Sequence, residues 1–332
     1  MRALLLSLLF LLPCGAHSAG KQPAKPAVKK TVLPPLPPDF CIFGGQSGKP
    51  FGDIASFKSV IWKNDVVYSG GAPDQPKDQQ ARLDILKSMR EARSTKIAVG
   101  FEALDMGMQP ALDAYAAGSM TEEEFLQKTG WQTVDFPLYR PLFDFIIQHK
   151  LRALALGVPK EIILKIERDG QGALNDDDKK FLPAQVNITK SPKYLAFLKA
   201  SYAGLNAAAN AGAPLTWDNY LAAVSSWNEA AGSKIAEFVN ANPGWSVLVA
   251  AGNDRIVYNA ALPASVKSRT VKLRQASFYF ENAVKCPAAL PKEHKELANY
   301  VWYLDHTPKP APVVPVAPST PTPPAADAVK KI

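Results

Sequence analysis

The sequence predicts an α/β fold: a central, mostly parallel sheet flanked by helices, with a mainly helical subdomain beside it. Three observations predict this. Short apolar runs alternate with segments whose apolar residues recur every three or four positions. The runs are apolar at consecutive positions, as strands covered on both faces must be. The composition is that of a folded chain: 332 residues, 47% hydrophobic and 20% charged, enough for a large core.

The chain opens with Met1-Arg2, an apolar run from Ala3 to Leu12, and Ala16-His17-Ser18. This reads as a secretory signal peptide over residues 1–18, cut after Ser18. The run is too short to span a bilayer, and no other apolar stretch is long enough. The predicted compartment is the periplasm, with the mature protein soluble or peripheral on the envelope. Leu11-Leu12-Pro13-Cys14 fits a lipoprotein box poorly, because proline precedes the cysteine; a lipid anchor is the alternative. Residues 19–39 are a Pro/Lys-rich linker.

A domain is expected over residues 40–306. Asp65 to Tyr68 is a first strand, followed by a helix over Lys77–Arg93 with Leu83, Leu86, Met89 and Arg90 at helical spacing. Lys96 to Phe101 is a second strand. Met108 to Ala117 is helical, and Thr121 with Glu124 forms a capping box that opens the next helix. Leu138 to His149 is a helix and Arg152 to Leu156 a third strand. Pro159 is placed in the first turn of a further helix. Trp217 to Ala241 is a long helix with Tyr220, Val224, Trp227, Ala231, Ile235 and Phe238 on one side. Gly244 closes it, and Trp245 to Ala251 is a fourth strand. Residues 105–215 hold one strand among helices, hence the expected helical subdomain. Residues 307–332 are a Pro/Ala-rich tail with eight prolines. It reads as a spacer, a ligand for a groove, or an unbound tail.

Charge narrows the partners. The net charge is +8, of which residues 1–39 carry +4 and residues 307–332 carry +2. The domain between them is nearly neutral, which argues against a nucleic-acid groove. Cleavage after Ser18 leaves two cysteines, Cys41 and Cys286. In an oxidising compartment they either pair or stand as two buried thiols.

In an open parallel sheet, ligands bind beyond the carboxyl ends of the strands. Here those ends carry Ser69 to Pro76, Glu102 to Asp105, Gly157 to Pro159, and Gly252 to Tyr258. An ordered series of motifs crosses them. Phe101-Glu102 runs on to Gln109-Pro110-Ala111-Leu112-Asp113-Ala114-Tyr115, then Leu138-Tyr139-Arg140-Pro141-Leu142 and Ala155-Leu156 with Pro159-Lys160-Glu161. Trp227-Asn228-Glu229, Gly252-Asn253, Tyr258 and Leu262-Pro263 complete it. Over residues 40–269 the series resembles the ChaN-like haem-binding uptake family of the Tiki superfamily.

The resemblance implies a haem held in the cleft, by one chain or between two copies of it. The chain departs from the family where metal chemistry would sit. Family members usually carry Gly-Glu-x-His after the first strand, but this chain has Gly70-Gly71-Ala72-Pro73. Arg255 stands where the family has a later His. The surviving histidines of the mature chain, His149, His294 and His306, lie at no predicted strand end. A divalent ion needs several converging ligands, and a fixed guanidinium neither binds metal nor moves a proton.

The candidate ligand-binding residues are therefore Asp74, Glu102, Tyr139, Asn253, Arg255 and Tyr258, with no catalytic and no metal residue. Tyr139 and Tyr258 are candidate axial ligands or simply core and rim tyrosines. Glu102 either serves a ligand or pairs with Arg255 at adjacent strand ends. Trp217 and Trp227 read as helix–sheet packing. The expected function is a non-catalytic haem- or small-ligand-binding protein related to haem or iron uptake. The alternatives are a metal-dependent hydrolase of the superfamily and a structural envelope protein.

Overall fold

The computed structural model describes residues 40–131, 136–208 and 215–307. The expected signal peptide, the linker and, apart from Thr307, the proline-rich tail lie outside the described residues. In chain order the elements are β1 (Cys41–Gly44), α1 (Ile54–Lys63), β2 (Val66–Ser69), α2 (Pro76–Arg93), β3 (Ile97–Asp105), α3 (Gln109–Ala116), α4 (Glu122–Thr129) and α5 (Phe136–His149). Then follow β4 (Arg152–Gly157), α6 (Lys160–Asp169), α7 (Asp176–Lys179), α8 (Pro192–Ala208), α9 (Trp217–Ala241), β5 (Ser246–Ala250), α10 (Asn253–Ile256), α11 (Leu262–Arg269), β6 (Gln275–Asn282) and β7 (Tyr300–Leu304).

The strands form one seven-stranded sheet in the order β1-β7-β6-β2-β5-β3-β4. Only the β1–β7 pair is antiparallel; the other pairs are parallel. Alternation along each strand divides the core in two. Val67, Val99, Phe101 and Leu248 face one helical layer, into which α1 to α5 send Ile61, Leu86, Leu112, Phe125 and Phe143. Val66, Tyr68, Ala98, Val247 and Val249 face the other, covered by Ala231 and Ile235 of α9 and Val266 of α11.

The helix α9 is central to that second layer. Thr216 caps it by accepting from the Asn219 amide at 3.2 Å. Its Ala223 and Ala230 pack on Ile162, Ile163 and Ile166 of α6, and its Tyr220 and Leu221 pack on Tyr194 and Leu198 of α8. Gly232 is needed where α11 crosses: a Cβ there would stand 2.1 Å from Ser265 Oγ.

Residues 105–215 are mainly helical, with β4 as the one strand among those described after the end of β3. Helices α3 to α5 pack on one face of the sheet and α6 and α8 on α9 across the other. Periodicity identifies a helix but not the face it covers. Pro159 is the N-cap of α6 rather than a first-turn residue. The helix α9 ends at Asn242, whose Nδ2 donates to the Phe238 carbonyl at 2.7 Å, and Gly244 lies in the turn beyond it. Strands β1, β6 and β7 were not predicted. β1 has only four residues, and no helix separates β6 from β7 except one short turn at Lys292–His294.

The outer edge of β4 is covered by a side chain. Gln109 Oε1 accepts from the Ala155 amide at 2.8 Å and its Nε2 donates to the Ala153 carbonyl at 3.0 Å. At the opposite edge Cys41 of β1 is disulfide-bonded to Cys286, just past β6, with a Cα–Cα distance of 5.6 Å.

Candidate functional site

The site lies at the carboxyl ends of β2, β5 and β3, and it begins with an irregularity. The β3–β5 pairing ends at Phe101 and Ala250. The β3–β4 register shifts between Phe101 and Asp105. Glu102 sits in that shift, where a strand re-aims its side chains.

Both oxygens of Glu102 are engaged. Oε1 accepts from Arg255 Nε at 2.8 Å and Oε2 from the Gly252 amide at 2.9 Å. Asp254 Oδ2 lies 3.4 Å from the same Arg255 nitrogen. The guanidinium stacks over Trp227, with Cζ 4.2 Å from the ring centroid. Burial acts to lower the Arg255 pKa, but the charges of Glu102 and Asp254 outweigh it and hold it above the ordinary value. Arg255 is therefore a permanent cation.

A second arginine, Arg82 of α2, is buried beside the pair. Its Nη2 donates to the carbonyls of Gly70 at 2.8 Å and Ala251 at 3.0 Å, and its Nη1 to Gln79 at 2.9 Å. Asn253 ties the turn after β2 to β6: Oδ1 accepts from the amides of Gly71 at 2.9 Å and Phe280 at 3.1 Å, and Nδ2 donates to the Phe280 carbonyl at 2.7 Å. Asp78 holds the same turn from below, accepting from the Ala72 amide at 2.8 Å. Gly71, at φ +103°, lies so close that a Cβ would stand 2.4 Å from Asp78 Oδ2.

The other oxygen of Asp78 lies 2.7 Å from His306 Nε2. Burial pushes the Asp78 carboxyl up, while the Ala72 amide and His306 act against that rise. His306 corrects the sequence reading, which placed no histidine at a strand end: it stands two residues beyond β7, a strand the pattern did not reveal.

These groups enclose a cleft of about 270 Å³ lined by Gly71, Pro73, Arg82, Glu102, Tyr139, Trp227, Asp254 and Arg255, among others. A second cavity of about 410 Å³ shares Glu102, Ala103 and Trp227 and continues past Gly157, Lys160 and Glu167. Of the six residues predicted from sequence, Glu102, Arg255 and Tyr139 line the cleft. Tyr139 is 3% exposed, with its ring centroid 4.8 Å from that of Trp131. Asn253 supports the cleft from behind. Asp74 is exposed and does not line it. Tyr258, at a left-handed φ of 58°, lines a different cavity of about 540 Å³ with Lys193, Asn259 and Glu296.

Arg82, Asp254 and Trp227 are the residues that sequence reasoning missed. Trp227 is more than packing, since it forms a wall of both cavities. Four buried side-chain N–H donors among the described residues have no acceptor: Arg82 Nε, Arg90 Nε, Trp227 Nε1 and Arg255 Nη1. Three of the four belong to side chains that line this one cleft. Among the described residues, no three His, Cys, Asp or Glu side chains gather to hold a metal ion.

The sequence matches the family described as haem-binding uptake, Tiki superfamily, ChaN, over residues 59–266. The chain belongs to this family. The match takes in β2 through β5, all four strands that reach the cleft or its neighbour, together with α9. No curated protein matches the sequence. Among solved structures, the fold resembles that of ChaN of Campylobacter jejuni with cofacially bound heme, with TM-score 0.57 and 15% identity over 78% of this chain and 94% of that one. A weaker likeness is to the type III effector HopBA1, with TM-score 0.44, 9% identity and coverage of 81% of this chain and 98% of that one. Another is to a mutant of the erythromycin esterase EreC in its open conformation, with TM-score 0.41, 13% identity and coverage of 73% of this chain and 77% of the esterase. In this ChaN-family chain the strand ends carry the Glu102–Arg255 ion pair and, beyond β7, the contact of His306 with Asp78.

Proposed function

We propose that this ChaN-family protein is a non-catalytic haem-binding protein of the cell envelope, related to haem or iron uptake and exported by the leader at residues 1–18. Haem is its cargo, taken at the cleft beyond β2, β5 and β3. The engagement of Glu102 carries the reading. A general acid or base needs a carboxyl free to exchange a proton with a substrate, and both oxygens of Glu102 are committed to Arg255 and Gly252. Glu102 is thus not available as the acid or base of a hydrolysis.

The residues present fit haem. Tyr139 is a phenol in the cleft wall, and phenolate is a known axial ligand class for haem iron. Trp227 offers an aromatic wall. Bound haem supplies iron; the chain's residues bind and orient it.

Titrating the purified mature protein with haem tests this. A saturable Soret band is expected, and Tyr139→Phe should change its position or weaken binding about tenfold. Absence of a saturable band overturns the reading. Metal-dependent hydrolysis lost on chelation would favour the hydrolase alternative instead.

A further inference from the structure

We infer that the cavity beside Tyr258 is a second binding site, built for a neutral saccharide. It shares no lining residue with the strand-end cleft, so the inference stands or falls apart from the haem reading.

The cavity, at about 540 Å³, is within the usual range of small-molecule sites, roughly 300–1,000 Å³. Its wall comes from the turn after β1, the start of α8, the turn before α11 and the approach to β7. Two of these stretches hold strained backbone. Tyr258 and Asn259, at φ 58° and 52°, and Glu296, at φ 64°, are three of the six non-glycine residues with positive φ among those described. Such a conformation is costly, persists only where the surroundings fix it, and gathers at binding sites. Here the Tyr258 amide donates to the Leu297 carbonyl at 2.6 Å and the Glu296 amide to the Gly45 carbonyl at 3.0 Å. The wall is therefore set before a ligand arrives.

The same stretches aim two carboxamides. Ser277, fully buried on β6, anchors both. Asn299 Oδ1 accepts from the Ser277 amide at 3.0 Å, and Asn259 Oδ1 accepts from the Ser277 hydroxyl at 2.6 Å. With both oxygens turned to Ser277, the NH2 groups are the ends left for the cavity. Asn299 is exposed, and the half-buried Asn259 has no sealed side-chain atom without a partner. Both groups are thus open to a ligand rather than shut inside the wall.

The rest of the lining narrows the class. Its two charged side chains, Lys193 and Glu296, are paired with each other, so an ion finds no free counter-charge there. An apolar molecule would cover the NH2 groups without satisfying them. What remains is amide and hydroxyl, with the phenols of Tyr258 and Tyr300, and these groups both donate and accept. A sugar presents the matching set: hydroxyl groups that donate and accept in turn, and C–H faces that suit an aromatic ring.

The test is calorimetric titration of the mature protein with maltotetraose, chitotetraose and capped tetraglycine. One of the two sugars should bind saturably, at one site per chain. Asn299→Asp keeps the oxygen that Ser277 needs and replaces the NH2 group with an acceptor. It should weaken that sugar about tenfold and leave the haem titration unchanged. Asn259→Asp, which suits a left-handed backbone as asparagine does, is the second variant should Asn299→Asp lower the melting temperature. No saturable binding of either sugar overturns the site. Sugar affinity untouched by both variants overturns its location. Capped tetraglycine binding as tightly as the sugar overturns the class, and an equal loss of haem binding in the same variant overturns the separation of the two sites.

Discussion

Two largely buried Glu–Arg pairs in this molecule are completed differently. In the first, Glu229 of α9 accepts from Arg269 Nη2 at 2.7 Å, from Asn187 Nδ2 at 3.0 Å and from the Asn187 amide at 3.3 Å. Arg269 Nη1 reaches the Ser265 carbonyl at 3.0 Å and its hydroxyl at 2.7 Å. Neither residue has a buried side-chain atom without a partner. That pair fastens α9, α11 and the segment before α8. In the second, Glu102 is equally saturated, but Arg255 keeps a buried, unpaired Nη1, and so do Arg82 at Nε and Trp227 at Nε1, two further residues of the cleft wall. Both pairs border a cavity, of about 450 Å³ at Glu229 and about 270 Å³ at Glu102 and Arg255, so lining a cavity does not separate them. The leftover donors tell them apart, not the ion pair.

The closed pair should be the more costly to break. Arg269→Ala leaves Glu229 buried and uncompensated, and should lower the unfolding free energy in urea by about 3–5 kcal/mol. A loss below about 1 kcal/mol would erase the distinction between the two pairs. Glu102→Ala should cost less, about 1–3 kcal/mol, because Arg255 keeps Asp254 at 3.4 Å.

Acid should reveal the closed pair by a different route. Burial tends to raise the Glu229 carboxyl, but Arg269, Ser265 and Asn187 outweigh it and hold it below its ordinary 4.5. With the native value lower than the unfolded one, the contribution is fully present above about pH 4.5 and fades as pH falls through the lowered native value. Stability measured from pH 6 downward should show this decline, and Glu229→Gln should flatten it. The smallest effect belongs to the open site. Trp227→Phe removes an N–H that has no acceptor and part of the ring that packs under Arg255, so the ligand-free protein should lose about 1 kcal/mol. A loss of about 3 kcal/mol would place the packing of this ring on a level with the ion pairs.

The fold was legible where each strand is followed by a helix. The runs that became β2, β3, β4 and β5 and the periodicities of α2 and α9 lie within two residues of their observed bounds at most positions, β3 excepted. Beyond α11 the rhythm stops, and β6 and β7 went unseen, taking with them the placement of His306. Glu102 and Arg255 were legible as strand-end residues because an open parallel sheet gathers its carboxyl ends. Arg82 was not. It sits in the polar run Lys77-Asp78-Gln79-Gln80-Ala81-Arg82, which reads as a solvated face, and its acceptors Gly70 and Ala251 come from two separate strand ends. Trp227 fitted the apolar side of α9, and periodicity cannot show that the ring ends beneath a guanidinium. Tyr258 matched a family motif, yet its left-handed backbone belongs to another cavity.

The pairing of β1 with β7 joins the first strand of the domain to its last. Cys41 and its partner are 245 residues apart, so the first strand waits for nearly the whole domain to be synthesised before it finds its place. Contacts this remote in sequence form slowly. Meanwhile β7 offers a bare row of backbone groups of the kind that recruits strands from neighbouring chains. Four residues and one disulfide thus cover that row and deny it to others.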